Sequence, residues 1–83
     1  MRHHILIDTN VLVYRYDGRF PEKQQIASDV LREGIKAGNA RIPHQSIAEF
    51  VAATTRGNPE DQLLGVADAC REAEELMAQF PVL

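Results

Sequence analysis

The chain has 83 residues, 9 of them basic and 12 acidic, giving a formal net charge of −3. A chain this short reads as one domain with a modest core, and its 45% hydrophobic content separates it from disordered sequences. The charge balance argues against a broad basic face that grips duplex DNA, and the single cysteine, Cys70, leaves no internal disulfide to form.

In chain order, the first element is the apolar run Ile5-Leu6-Ile7, which predicts a strand buried on both faces. The residues ahead of Asp8 are too few for a signal peptide or a membrane span, so the expected location is the cytoplasm and no membrane partner is expected. Residues 11–16 follow as a short helix that Asp8 or Thr9 could cap. Asp17-Gly18 marks a turn, and Pro21 suits the first position of a helix over 22–37. Ile26, Ala27, Val30, Leu31 and Ile35 form its apolar stripe, and Gly38-Asn39 ends it.

Residues 40–43 predict a short second strand, and residues 46–55 a helix with Ile47, Phe50, Val51 and Thr54 on one side. Arg56-Gly57-Asn58 breaks that helix. Asn58 and Pro59 then carry a cap and first-turn signal for a helix over 59–79. Its apolar stripe is Leu63, Val66, Ala67, Cys70, Ala73, Met77 and Phe80, opposite Asp61, Asp68, Glu72 and Glu75. Phe80-Pro81-Val82-Leu83 reads as the entry to a third strand. Strands alternating with helices predict an α/β fold: a short parallel sheet of two to three strands flanked by about four helices, with right-handed crossovers. Ligands in such sheets sit beyond the carboxyl ends of the strands, where Asp8 stands.

A carboxylate on rigid backbone at that position suits a hard cation, although Asp is also a common helix cap. Glu49 comes 41 positions later (49 − 8), at the start of the helix after the second strand. It is either a second ligand facing Asp8 or the last member of an S-x-x-E capping box, Ser46-Ile47-Ala48-Glu49. A site of this kind is itself acidic and needs a cation before phosphate approaches. Arg15, Arg19 and Arg56 could touch phosphates. Cys70 reads as a core residue, His3, His4 and His44 as surface residues, and Asp61 and Asp68 as part of a solvated helix face.

The segment from Ile5 through Asp8-Thr9-Asn10 to Tyr14 resembles the opening of PIN-domain proteins, in which a hydrophobic strand runs into D-T-N-hydrophobic-L. Ile42 to Phe50 resembles that family's second segment, where an E-F dipeptide opens a helix. Thr54-Thr55-Arg56 and Phe80 to Leu83 resemble the VapC-like toxin branch, so the likeness spans nearly the whole chain in the family's order. The resemblance implies a metal-dependent endoribonuclease of a toxin–antitoxin system, a phosphodiester hydrolase using Mg²⁺ or Mn²⁺. Asp8 and Glu49 would then be catalytic metal ligands, Thr9 and Asn10 supporting polar residues, and Arg56 a candidate RNA contact.

The resemblance also implies two further acids, one opening a later helix and one after a further strand. Neither stands among the 83 residues, so the expectation is a single incomplete PIN-like domain over 1–83, with reduced or no activity alone. Its expected partners are RNA, a cognate antitoxin and a second copy of itself paired along an open edge at residues 5–7. The rival expectation is a non-catalytic PIN remnant that serves as a dimerisation or antitoxin-binding module. A D-x-D phosphotransfer site is disfavoured because Asn10, not Asp, stands two residues after Asp8.

Overall fold

The computed structural model describes residues 5–82, so His3, His4 and Leu83 lie outside the described residues. The elements run β1 (Ile5–Leu6), α1 (Thr9–Tyr14), α2 (Pro21–Ala37), β2 (Ala40–Arg41), α3 (His44–Thr54) and α4 (Val66–Gln79). This is the mixed α/β arrangement expected: a parallel two-stranded sheet and, among the described residues, four helices. Ile5 is in register with Ala40 and Leu6 with Arg41. On the far side of β2, Ile42 forms a parallel bridge with Val82, and its N–H donates to the Pro81 carbonyl at 3.0 Å. The expected third strand is therefore present as one rung.

The core joins Ile7 and Leu12 to Leu31, Ile42, Ile47, Phe50, Leu76 and Phe80. α1 packs on α2 and α3, α3 on α4, and α2 on β2. Gly34 permits the last of these contacts, because a Cβ there would sit 2.7 Å from the Ala40 Cβ. α2 begins with Pro21 in its first turn and ends at Gly38 in the left-handed conformation (φ 68°), as its sequence signals require. Thr54, fully buried, satisfies its hydroxyl by donating to the Phe50 carbonyl at 2.8 Å.

Four expectations need correction. β1 is not covered on both faces: Ile7 is buried, but Ile5 and Leu6 are 49% and 58% exposed. The N–H groups of Ile5 and Ile7 donate to the Asn39 and Arg41 carbonyls at 2.8 Å each, so the backbone groups of Leu6 face away from β2. No strand among the described residues pairs with them.

The stripe of α2 is narrower than read. Ala27, Leu31 and Gly34 are buried while Ile26, Val30 and Ile35 are exposed. Close approach to β2 at Gly34 turns the small-residue side inward.

The helix predicted over 59–79 starts only at Val66, capped by Gly65. Asn58 does accept from the Asp61 and Gln62 N–H groups, but this makes a single turn. The Gln62 amide then donates back to the Thr55 carbonyl, and the Leu64 N–H to the Thr54 carbonyl, which ties the segment to the end of α3. Finally, the buried face of α4 is Ala69, Ala73 and Leu76, not the stripe through Val66, Ala67, Cys70 and Met77. Cys70 is accordingly exposed, not a core residue.

The turn between α1 and α2 is held by Asp17, a buried carboxylate that accepts three bonds from Arg19. These come from the backbone N–H at 3.1 Å, Nε at 2.9 Å and Nη2 at 2.8 Å. The Arg19 side-chain bonds hold the Asp17 carboxyl below its ordinary value. With the folded pKa depressed, its contribution to stability is complete above the unfolded value, about 3.9. It is lost as pH falls through the folded value. We expect the thermal midpoint of the native protein to fall more steeply on acidification below that range than that of Asp17→Asn. Parallel melting curves at a series of acidic pH values check this, and identical slopes would remove Asp17 from the account.

Candidate functional site

β1 delivers Asp8 to the carboxyl end of the sheet, where the chain turns into α1. Asp8 caps α1 through its backbone only. With extended geometry (φ −76°, ψ 152°), its carbonyl accepts from the Val11 and Leu12 N–H groups at 3.1 and 3.4 Å, while its side chain makes no capping bond. The carboxylate is exposed and has no hydrogen-bond or ion-pair partner among the described residues.

β2 and Pro43 bring α3 to the same end. α3 starts three residues earlier than the capping-box reading requires (46 − 43), with Pro43 as its cap and the Pro43 carbonyl accepting from Ser46 N–H at 2.9 Å. Ser46 is consequently buried inside the first turn and caps nothing. Glu49 therefore does not serve a capping box, and the physical reason is that proline's extended backbone already fixes the start of the helix one turn sooner.

Glu49 instead reaches across to α1. Its Oε2 accepts from the Thr9 hydroxyl at 2.9 Å, and its Oε1 from the Gln45 amide at 2.8 Å. Both donors are neutral, and each carboxylate oxygen keeps a lone pair for a further partner. The Thr9–Glu49 bond ties the residue after Asp8 to α3, which brings Asp8, Thr9 and Glu49 into one exposed neighbourhood. Asn10 is exposed beside them. Gln45 is the residue that sequence reasoning missed; its i, i+4 spacing to Glu49 was the available signal.

Arg56 is not brought into this group. It lies past the C-terminus of α3, seven residues after Glu49 (56 − 49), or about 10 Å along the helix axis, and it forms no ion pair with either acid. His44 opens α3 as an exposed residue. Asp61 and Asp68 are exposed, and Asp68 pairs with Arg71.

Below the site, the Tyr16 hydroxyl donates to Glu72 Oε2 at 2.9 Å, anchoring the end of α1 to α4. Burial, and then this bond to a carboxylate, push the Tyr16 pKa up to about 12. Glu72, expected on the solvent side of α4, is thereby a half-buried acceptor.

Asp8 and Glu49 offer hard carboxylate oxygens, the donor type a hard divalent ion takes, and among the described residues neither forms an ion pair. Among the described residues, no cluster of three or more His, Cys, Asp or Glu side chains is arranged to hold a metal. No helix among the described residues is long and apolar enough to cross a membrane. Comparison with protein-family models, with curated proteins and with solved structures finds no match to this chain.

Proposed function

We propose that the chain carries an acidic pair of a PIN-type, metal-dependent endoribonuclease of the VapC-like toxin kind, acting on RNA in the cytoplasm. The observation that carries this reading is that neither carboxylate is spent on a helix cap. Asp8 makes no side-chain cap, and Glu49 is turned from its capping box toward α1 by Thr9. Asp8 and Glu49 would hold Mg²⁺ or Mn²⁺, Thr9 and Gln45 orient Glu49, and Asn10 borders the pair. The ion, when bound, supplies a water of lowered pKa and positive charge against the scissile phosphate. The chain's own part is to hold two anionic oxygens at one end of the sheet and to leave them open to solvent. Arg56, two helical turns away, would meet RNA only beyond the cleavage point.

The test is a Mn²⁺ titration followed by nuclear magnetic resonance, run beside an RNA cleavage assay in millimolar Mg²⁺. Saturable broadening centred on Asp8 and Glu49, with metal-dependent cleavage, is the expected result. Neither broadening nor cleavage would sink the reading.

That outcome would favour a second one, a non-catalytic docking module. Two observations favour it: the open backbone edge at Leu6, which could pair with a second copy, and an apolar groove of about 280 Å³ between α1 and α2. The groove is lined by Val11, Tyr14, Lys23, Ile26, Ala27 and Val30. An apolar-striped helix of an antitoxin fits such a groove.

A further inference from the structure

A second cleft opens away from the carboxylates, where the end of α1, the middle of α2 and the end of α4 meet. Its volume is about 320 Å³, and it is lined by Arg15, Ser28, Leu31, Arg32, Ile35 and Gln79. Arg15 stands seven residues after Asp8 (15 − 8), roughly 10 Å along α1 at the helical rise, so the two sites are separate.

The polar side chains of the lining are two guanidinium groups, a hydroxyl and an amide, all able to donate, and no carboxylate lines the cleft. Arg15 forms no ion pair among the described residues. Its guanidinium lies over the Tyr16 ring, 5.5 Å from the centroid, and Tyr16 is itself fixed by Glu72 and by the Phe50 ring. A half-buried cation so braced is oriented before any ligand arrives. Arg32 lines the same cleft from α2 with only a 3.4 Å contact to Asp29, an exposed pair that holds it weakly. Ile35, 51% exposed, supplies an apolar wall beside these donors, above the buried Leu31.

Two arginines present the planar forks that suit phosphate oxygens, and the apolar wall suits a flat base. The volume is at the small end for ligand sites, which favours one nucleotide over a dinucleotide. We propose that this cleft binds a nucleoside monophosphate, with Arg15 and Arg32 holding the phosphate and Ile35 packing on the base. The site does not depend on the ribonuclease reading, because none of its residues belongs to the carboxylate pair.

The test is titration of the chain with adenosine 5′-monophosphate, adenosine and inorganic phosphate, followed by nuclear magnetic resonance and calorimetry. Saturable binding of the monophosphate is expected, at least about tenfold tighter than either adenosine or phosphate alone. Arg15→Gln and Arg32→Gln are each expected to weaken it roughly tenfold, while Arg71→Gln, the same charge change on an exposed part of α4, leaves it unchanged. Because Arg15 also braces Tyr16, Arg32→Gln decides the matter if Arg15→Gln fails to fold. Equal affinity for the monophosphate and adenosine would overturn the proposal. So would absence of saturable binding, native affinity in the arginine variants, or phosphate binding as tightly as the nucleotide.

Discussion

On the proposed ribonuclease reading, replacing Asp8 by Asn is expected to lower metal-dependent RNA cleavage by about 100-fold or more, since even residues that only support metal ligands cost 10- to 100-fold when changed. The same change should leave the thermal midpoint nearly untouched. The two carboxamide and carboxylate side chains have the same shape, the backbone carbonyl that caps α1 is unaltered, and the Asp8 side chain makes no capping bond to lose. Surface changes of this sort stay within about 0.5 kcal/mol. The substitution is informative because Asn caps helices as well as Asp does. A residue present only to start α1 would tolerate it in every assay. Cleavage rates in Mg²⁺ beside a thermal melt make the comparison, and full activity in Asp8→Asn would reduce Asp8 to a cap.

Phe50→Ala should do the opposite, destabilising the fold while leaving the carboxylates in place. Phe50 is fully buried at the junction of α1, α3 and the sheet, and its ring lies 5.4 Å from that of Tyr16. Truncating such a ring costs about 3–5 kcal/mol. A domain of this size has only about 4–12 kcal/mol at the usual 0.05–0.15 per residue. At roughly 4–8 °C per kcal/mol for small domains, the melting midpoint drops by more than about 12 °C. Circular dichroism melts measure this. A drop of only a few degrees would mean that the α1–α3 contact repacks around the cavity. Phe50 also follows Glu49 directly and points inward where Glu49 points outward, so this ring sets how far α3 stands from Thr9.

The reading of residues alone succeeded where one signal acted without a competitor. Pro21 and Gly38 bracket α2 because a fixed φ and a left-handed residue leave little choice. Ile7 before Asp8 placed a carboxylate at a strand end for the same reason. It failed where two local signals competed. Asn58-Pro59 starts a turn, but Gln62 and Leu64 bond back to α3, and Gly65 becomes the true cap. Ser46 and Glu49 have capping-box spacing, yet Pro43 starts α3 first. The buried faces of α2 and α4 differ from their hydropathy stripes because alanine and glycine carry little hydropathy but allow close approach, so Ala27, Gly34, Ala69 and Ala73 face inward ahead of larger apolar neighbours. For the site, the sequence motif sets Thr9 beside Asp8, and the fold joins Thr9 to Glu49 and Glu49 to Gln45. Arg56 belongs to the motif in sequence only and stands past the end of α3.

The pairing of Ile5 with Ala40 spans 35 positions (40 − 5) and rests on two residues in each strand. A ladder so short, closed over so long a stretch of chain, forms late in folding, because its loop entropy must be met before its contacts contribute. It is also among the first parts to open in the native state. Asp8 follows that ladder directly, but Ile7 before it and Leu12 after it are both seated in the core. Fraying of the exposed start of β1 at Ile5 and Leu6 therefore stops at Ile7, and the Thr9–Glu49 bond adds a latch between the start of α1 and α3.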